Sequence, residues 1–151
     1  MSENLEFYRR RLPHWQPPGA TLFATFRLAG SLPAAVIAQL RAERERQERL
    51  LTQIADLQNR QRSAYLEERR AFGRWDEALD AAAHSPRWLS RPEIADIVVE
   101  ALQHRQGKVY DLTVFCVMPN HVHLVCTPLP RDDGTYHALH RILQSLKRYT
   151  A

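Results

Sequence analysis

The stretch Val117-Met118-Pro119-Asn120-His121-Val122-His123-Leu124-Val125 decides the reading of this chain, because it sets two imidazoles two residues apart in what reads as a β-strand. Residues i and i+2 of a strand face the same side. Two neutral imidazoles on one face are half of a divalent metal site, and Pro119-Asn120 just before them supplies a hairpin turn that holds the strand end. Two surface histidines would give the same spacing. The apolar residue between them and the apolar runs on either side favour the metal reading.

Working outward, the pattern predicts a strand over residues 109–117, the Pro119-Asn120 turn, and a strand over 121–127. If the turn has two residues, Met118 pairs with His121 and Cys116 falls opposite His123 on the same face; a one-residue slip reverses this. Cys126 has the opposite parity to both histidines and is expected in the core. Upstream, a helix over 91–105 is opened by Ser90 as cap and Pro92 in its first turn, with Ile94, Ile97, Val98, Ala101 and Leu102 on its buried face; Gly107 ends it. Downstream, a loop over 128–135 holds Pro130, Asp132, Asp133 and Gly134, and an amphipathic helix runs from His137 towards Tyr149.

Nearer the start, residues 20–28 alternate Leu22, Ala24, Phe26 and Leu28 against Thr21, Phe23, Thr25 and Arg27, a strand apolar enough on both faces to be central. Ser31 is the expected cap of the helix that follows Pro33. Residues 34–80 contain no Pro and one Gly and are dense in Arg, Glu and Gln, which predicts a long helix or a pair of helices. Their apolar stripe (Leu40, Leu50, Leu51, Ile54, Leu57, Ala64, Tyr65, Phe72) is narrow. It suits either a homodimerising arm or a charged, solvated cover, and the alternation Arg41, Glu43, Arg44, Glu45, Arg46, Glu48 reads as a solvated face and not a nucleic-acid patch. Residues 7–19, rich in Arg, Pro and aromatics, read as an irregular lead-in. The element order is βαββα, an α+β sandwich.

At 151 residues and 44% hydrophobic content, the chain suits one domain. No apolar run approaches the roughly 20 residues that span a bilayer, and the first eleven residues are charged where a secretory segment is apolar, so a soluble, cytoplasmic protein without a membrane partner is expected. Two cysteines make no disulfide framework. A net charge of +4 permits a polyanionic partner without requiring one.

Met118-Pro119-Asn120-His121-Val122-His123-Leu124-Val125, followed by Leu139-His140-Arg141-Ile142-Leu143-Gln144-Ser145-Leu146-Lys147-Arg148-Tyr149-Thr150-Ala151, resembles the HUH transposases with a single catalytic tyrosine, in particular the REP-associated tyrosine transposases of bacteria. The lead-in Leu12-Pro13-His14-Trp15-Gln16-Pro17-Pro18-Gly19-Ala20-Thr21 and the strand Phe23 to Leu28 are similar to the start of that family. The resemblance implies a ferredoxin-like HUH domain over residues 1–151 with an antiparallel sheet and a helical insertion at about 34–80. It also implies DNA transposition and recombination by a mobile element: His121 and His123 hold Mg²⁺ or Mn²⁺ at a scissile phosphate of single-stranded, hairpin DNA, and a tyrosine attacks to leave a 5′-phosphotyrosine link.

The sequence departs from the family where the chemistry needs it most. The family's nucleophile lies on a later helix in a segment resembling Tyr-x-x-x-Asn-Pro-Val, with a third metal ligand four residues on; no residue here matches either, and the last strand and catalytic helix are absent from the pattern. A truncated form is the expectation. Tyr149 and, behind it, Tyr136 are the weak candidates for a nucleophile. A non-catalytic hairpin-DNA-binding remnant is the alternative, with Arg9, Arg10, Arg11, Lys147 and Arg148 as phosphate contacts and Tyr8 and Trp15 as stacking contacts. A histidine-triad hydrolase needs a third His where Val125 stands, and a zinc site would need Cys116 and further ligands. An unpaired sheet edge predicts poor solubility.

Overall fold

The computed structural model describes residues 7–10 and 12–150, with side chains from Gln16 onward. The chain forms two compact units, one from the residues before 28 together with those after 86, the other Leu28–Pro86. The first is α+β and the second is helical.

The α+β unit is built on a three-stranded antiparallel sheet of β3 (Leu22–Arg27), β4 (Tyr110–Val117) and β5 (His121–Pro128), in the order β3-β5-β4. Two further strands, β1 (Phe7–Arg10) and β2 (Leu12–Trp15), form a separate antiparallel ribbon. Strand β5 is central and carries the most buried face: Val122, Leu124 and Cys126 are fully buried and pair with Phe26, Ala24 and Leu22 of β3. Helix α3 (Pro92–Arg105) covers that face through Val98, Ala101 and Leu102, and α4 (Leu139–Tyr149) packs beside α3 through Ile142 and Leu146. Tyr110, fully buried, donates its hydroxyl to the Leu102 carbonyl at 2.7 Å and so pins α3 to the sheet. Arg105 ties the helices to each other, donating to Ser145 Oγ at 2.9 Å and lying over the Tyr149 ring. Gln16 brackets the start of α4 from far away in sequence, donating to the His137 carbonyl and accepting from the Leu139 N–H, each at 2.9 Å.

Five expectations need correction. Strand β3 lies at the edge of the described sheet, not at its centre, since Phe23 on its second face is 48% exposed and only Ala24 and Phe26 are buried. The lead-in is not irregular over residues 7–10 and 12–15, where a two-stranded ribbon pairs Phe7 with Trp15 and Arg9 with Pro13; proline fits a ribbon where its missing N–H would face outward. Ser31 is buried two residues before Pro33, which stands at the cap of α1 (Ala34–Thr52), and Ser90 ends a 3₁₀ turn (Trp88–Ser90), leaving Arg91 at the cap of α3. Neither serine caps a helix. Ile97, expected on the buried face of α3, is 45% exposed.

In the helical unit, α1 (Ala34–Thr52) and α2 (Leu57–Asp80) form a hairpin. Asp56 caps α2 by accepting the Asn59 N–H at 2.8 Å. The alternating charges pair across the two helices, Arg44 with Glu68 at 3.2 Å and Arg74 with Glu43 at 3.5 Å, while Arg74 also meets Glu67 at 2.7 Å on its own helix. Leu57 and Tyr65 of the apolar stripe are exposed. No helix among the described residues is long and apolar enough to cross a membrane.

Candidate metal centre

The hairpin that carries the two histidines is held from three sides. Its loop has two residues, Pro119 and Asn120, closed by the Met118 N–H donating to the His121 carbonyl at 2.8 Å. The Pro119 carbonyl accepts the Leu89 N–H at 3.1 Å, which fastens the loop to the 3₁₀ turn before α3. Register then follows: Val117 pairs with Val122 and Cys116 with His123, up to an extra residue at Thr113 where the ladder slips and β4 bends. On the other side of β5, Thr25 pairs with His123 and Arg27 with His121.

Because side chains alternate, His121, His123 and Val125 share the face opposite α3, with Thr25 and Phe23 of β3 and Cys116 and Val114 of β4. The imidazoles meet edge to face, with centroids 4.6 Å apart at 77°. Their Nε2 atoms are 3.0 Å apart. Each ring is held at its other nitrogen, His121 Nδ1 by Asn120 Oδ1 at 2.6 Å and His123 Nδ1 by Thr25 Oγ1 at 2.8 Å. His121 is fully buried and Asn120 nearly so, and both are hydrogen-bonded, as buried polar groups need to be. The Phe23 ring lies 5.5 Å from that of His123.

The donor set fits a cation. Both histidines present a nitrogen that could hold a metal ion, and 3.0 Å is the separation of neighbouring ligands that sit about 2.1 Å from one ion and subtend about 90° there, as in octahedral coordination. Nδ1 partners of this kind fix ring orientation in metal sites.

The other predicted residues stand elsewhere. Cys116 lies opposite His123 as the two-residue turn requires, but it is exposed and its thiol donates to Met118 Sδ at 3.6 Å. Tyr149, 55% exposed, is the last residue of α4 under the Arg105 guanidinium, on the helix-covered side of the sheet. Lys147 and Arg148 are exposed in the same last turn. Tyr136 lies in the loop before α4. Arg9 and Arg10 belong to β1, but their side chains, like those of Tyr8 and Trp15, lie outside the described residues, as does Arg11 altogether. Burial pushes the Tyr110 hydroxyl up to about 12 and the Cys126 thiol up to about 11, so both stay protonated in the core beneath the sheet.

Sequence reasoning missed the two orienting partners. Asn120 is visible as the residue before the first histidine, but its contact to the ring is not; Thr25 joins the site only through the β3-β5 register, 98 residues away in sequence. Comparison with family models, curated proteins and solved structures finds no match to this chain.

Proposed function

We propose that this chain is an HUH-type domain of the single-tyrosine transposase class that binds single-stranded, hairpin DNA through a divalent cation held by His121 and His123. The observation that carries the reading is the pair of Nε2 atoms 3.0 Å apart, with each Nδ1 tied to a separate polar partner. A bound cation would neutralise charge on a phosphodiester oxygen. The chain's own part is orientation: Asn120 and Thr25 hold the rings, the two-residue loop fixes their spacing, and Phe23 offers an exposed aromatic face beside His123. Two imidazoles suit a transition ion better than Mg²⁺, whose preferred ligands are oxygens, so of the two family ions Mn²⁺ is the better fit.

DNA binding is the part of the activity that the described residues account for, since Tyr149 lies on the helix-covered side of the sheet, away from His123. The test is incubation of the purified chain with labelled hairpin DNA and Mn²⁺, read on native and denaturing gels beside His121→Ala. The expected result is a native shift that needs Mn²⁺ and is lost in the variant, with no covalent adduct. Equal shifts with and without metal, in both proteins, contradict the proposal. A covalent adduct lost in the variant would assign the nucleophile to Tyr149 or Tyr136 and replace the binding-only form.

A further inference from the structure

Trp88 opens the 3₁₀ turn that fastens the histidine hairpin. Tryptophan is highly buried on average, yet Trp88 is 62% exposed, the most exposed of the large apolar side chains described in the α+β unit. A single apolar side chain at a surface is ordinary. The setting of this one is not. Its backbone is fixed on both sides: the Trp88 carbonyl accepts the Arg91 N–H at 3.0 Å, and the next residue, Leu89, is buried and donates its N–H to the Pro119 carbonyl at 3.1 Å. Pro119 lies two residues before His121, so three Cα steps and one hydrogen bond keep the Trp88 backbone within roughly 20 Å of that of His121. Two cations flank Trp88 in the chain. Arg91 shares a mostly exposed pair with Glu93 at 3.4 Å, and Arg87 makes no ion pair among the described residues.

We infer that Trp88 is a base-stacking residue, its indole taking one unpaired nucleobase of the strand whose phosphate meets His121 and His123, with Arg87 and Arg91 on neighbouring phosphates. The inference rests on the DNA reading of the histidine site and adds to it the feature that selects single strands. A broad aromatic plane between cations is what a single strand needs, since bases stack on the ring while the guanidinium groups meet the backbone. A base inside a duplex already has its faces covered by its neighbours, so the indole has nothing to take from a paired stem. The fixed turn matters for the same reason: a ring whose backbone is held in advance loses little freedom when the base arrives. An acidic peptide would use the two arginines but leave the indole face idle.

The experiment measures binding of the full chain, with Mn²⁺ present, to a labelled DNA hairpin with single-stranded flanks and to the same hairpin whose flanks lack their bases. The unaltered chain should bind the first about 5–150-fold more tightly than the second, the range for one stacked base. Trp88→Ala should bind both alike, as weakly as the unaltered chain binds the base-free flanks, and Trp88→Tyr should recover most of the difference. If Trp88→Ala keeps the full preference for bases while the binding still needs His121, the inference falls and the histidine reading stands. If Trp88→Ala weakens both probes equally, or turns a dimer into a monomer, Trp88 serves the fold or a subunit contact and the inference falls again. If the unaltered chain shows no binding that depends on Mn²⁺ and His121, the histidine reading falls and takes the inference with it. Because the two probes are compared on the unaltered chain, equal binding of both refutes the inference even if Trp88→Ala fails to fold.

Discussion

Strand β5 buries five of its eight side chains, whereas α1 buries none of its nineteen. One is held by what it excludes from water, the other by what it exchanges with its neighbour at the surface. In the α+β unit the packed face fixes the strand register, and register in turn sets Thr25 and Cys116 on either side of His123. In the helical unit the corresponding ties are ion pairs among half-exposed side chains, such as Arg44 with Glu68, and these contribute little and are screened by salt. A catalytic or binding geometry that must hold to a fraction of an ångström belongs on the first kind of framework.

Opening the core of β5 should do the most damage to the α+β unit. Leu124→Ala should cost about 2–5 kcal/mol in chemical denaturation, because a fully buried side chain leaves a cavity under the sheet; a loss below 1 kcal/mol would mean that β5 is not the element that organises the unit. Alkaline unfolding comes next. Tyr110 and Cys126 have raised pKa values in the folded chain, so their contribution is complete below their ordinary values of 10.0 and 9.0 and is lost as pH rises towards about 12 and about 11. Stability measured against pH should therefore begin to fall near pH 9, and in Cys126→Ala the onset should move up to near pH 10. An unchanged onset would remove the thiol from the account.

Gln16→Ala removes both hydrogen bonds at the start of α4 and should cost about 0.5–2 kcal/mol, in the range of a lost helix cap. Smallest of all, Arg44→Ala in the helical hairpin should cost less than about 1 kcal/mol, and that cost should shrink as salt is raised. A large, salt-insensitive loss would show that the hairpin depends on Arg44 for more than surface pairing.

Much of the core of the site is local, and so it could be read from the chain. The Pro119-Asn120 turn, the shared face of His121 and His123, the opposition of Cys116 to His123 and the burial of Cys126 all follow from a period of two and a loop of two residues. Helices α3 and α4 follow from periodicity, and composition marks residues 34–80 as helical but not where α1 gives way to α2, which Asp56 sets by capping α2. What depended on distant partners was not legible. Ser31 and Ser90 have the right chemistry for caps, yet the helices begin after Pro33 and Arg91, while α4 is bracketed by Gln16 from more than 120 residues away. Strand order is of the same kind: β3 looks central by its own apolar residues, but which strand lies in the middle is a property of three strands together. Thr25 entered the site for that reason alone.

In the proposed reading His121 and His123 act as one cation site. Titration of Mn²⁺ into the purified chain, followed by electron paramagnetic resonance of the free ion, tests it most directly. The unaltered chain should take up Mn²⁺ saturably, and either His121→Ala or His123→Ala should lose at least about 100-fold in affinity, since two ligands on one strand face cannot be replaced by one. Uptake of Mn²⁺ that is the same in the unaltered chain and in both variants, all shown to be folded, would contradict it.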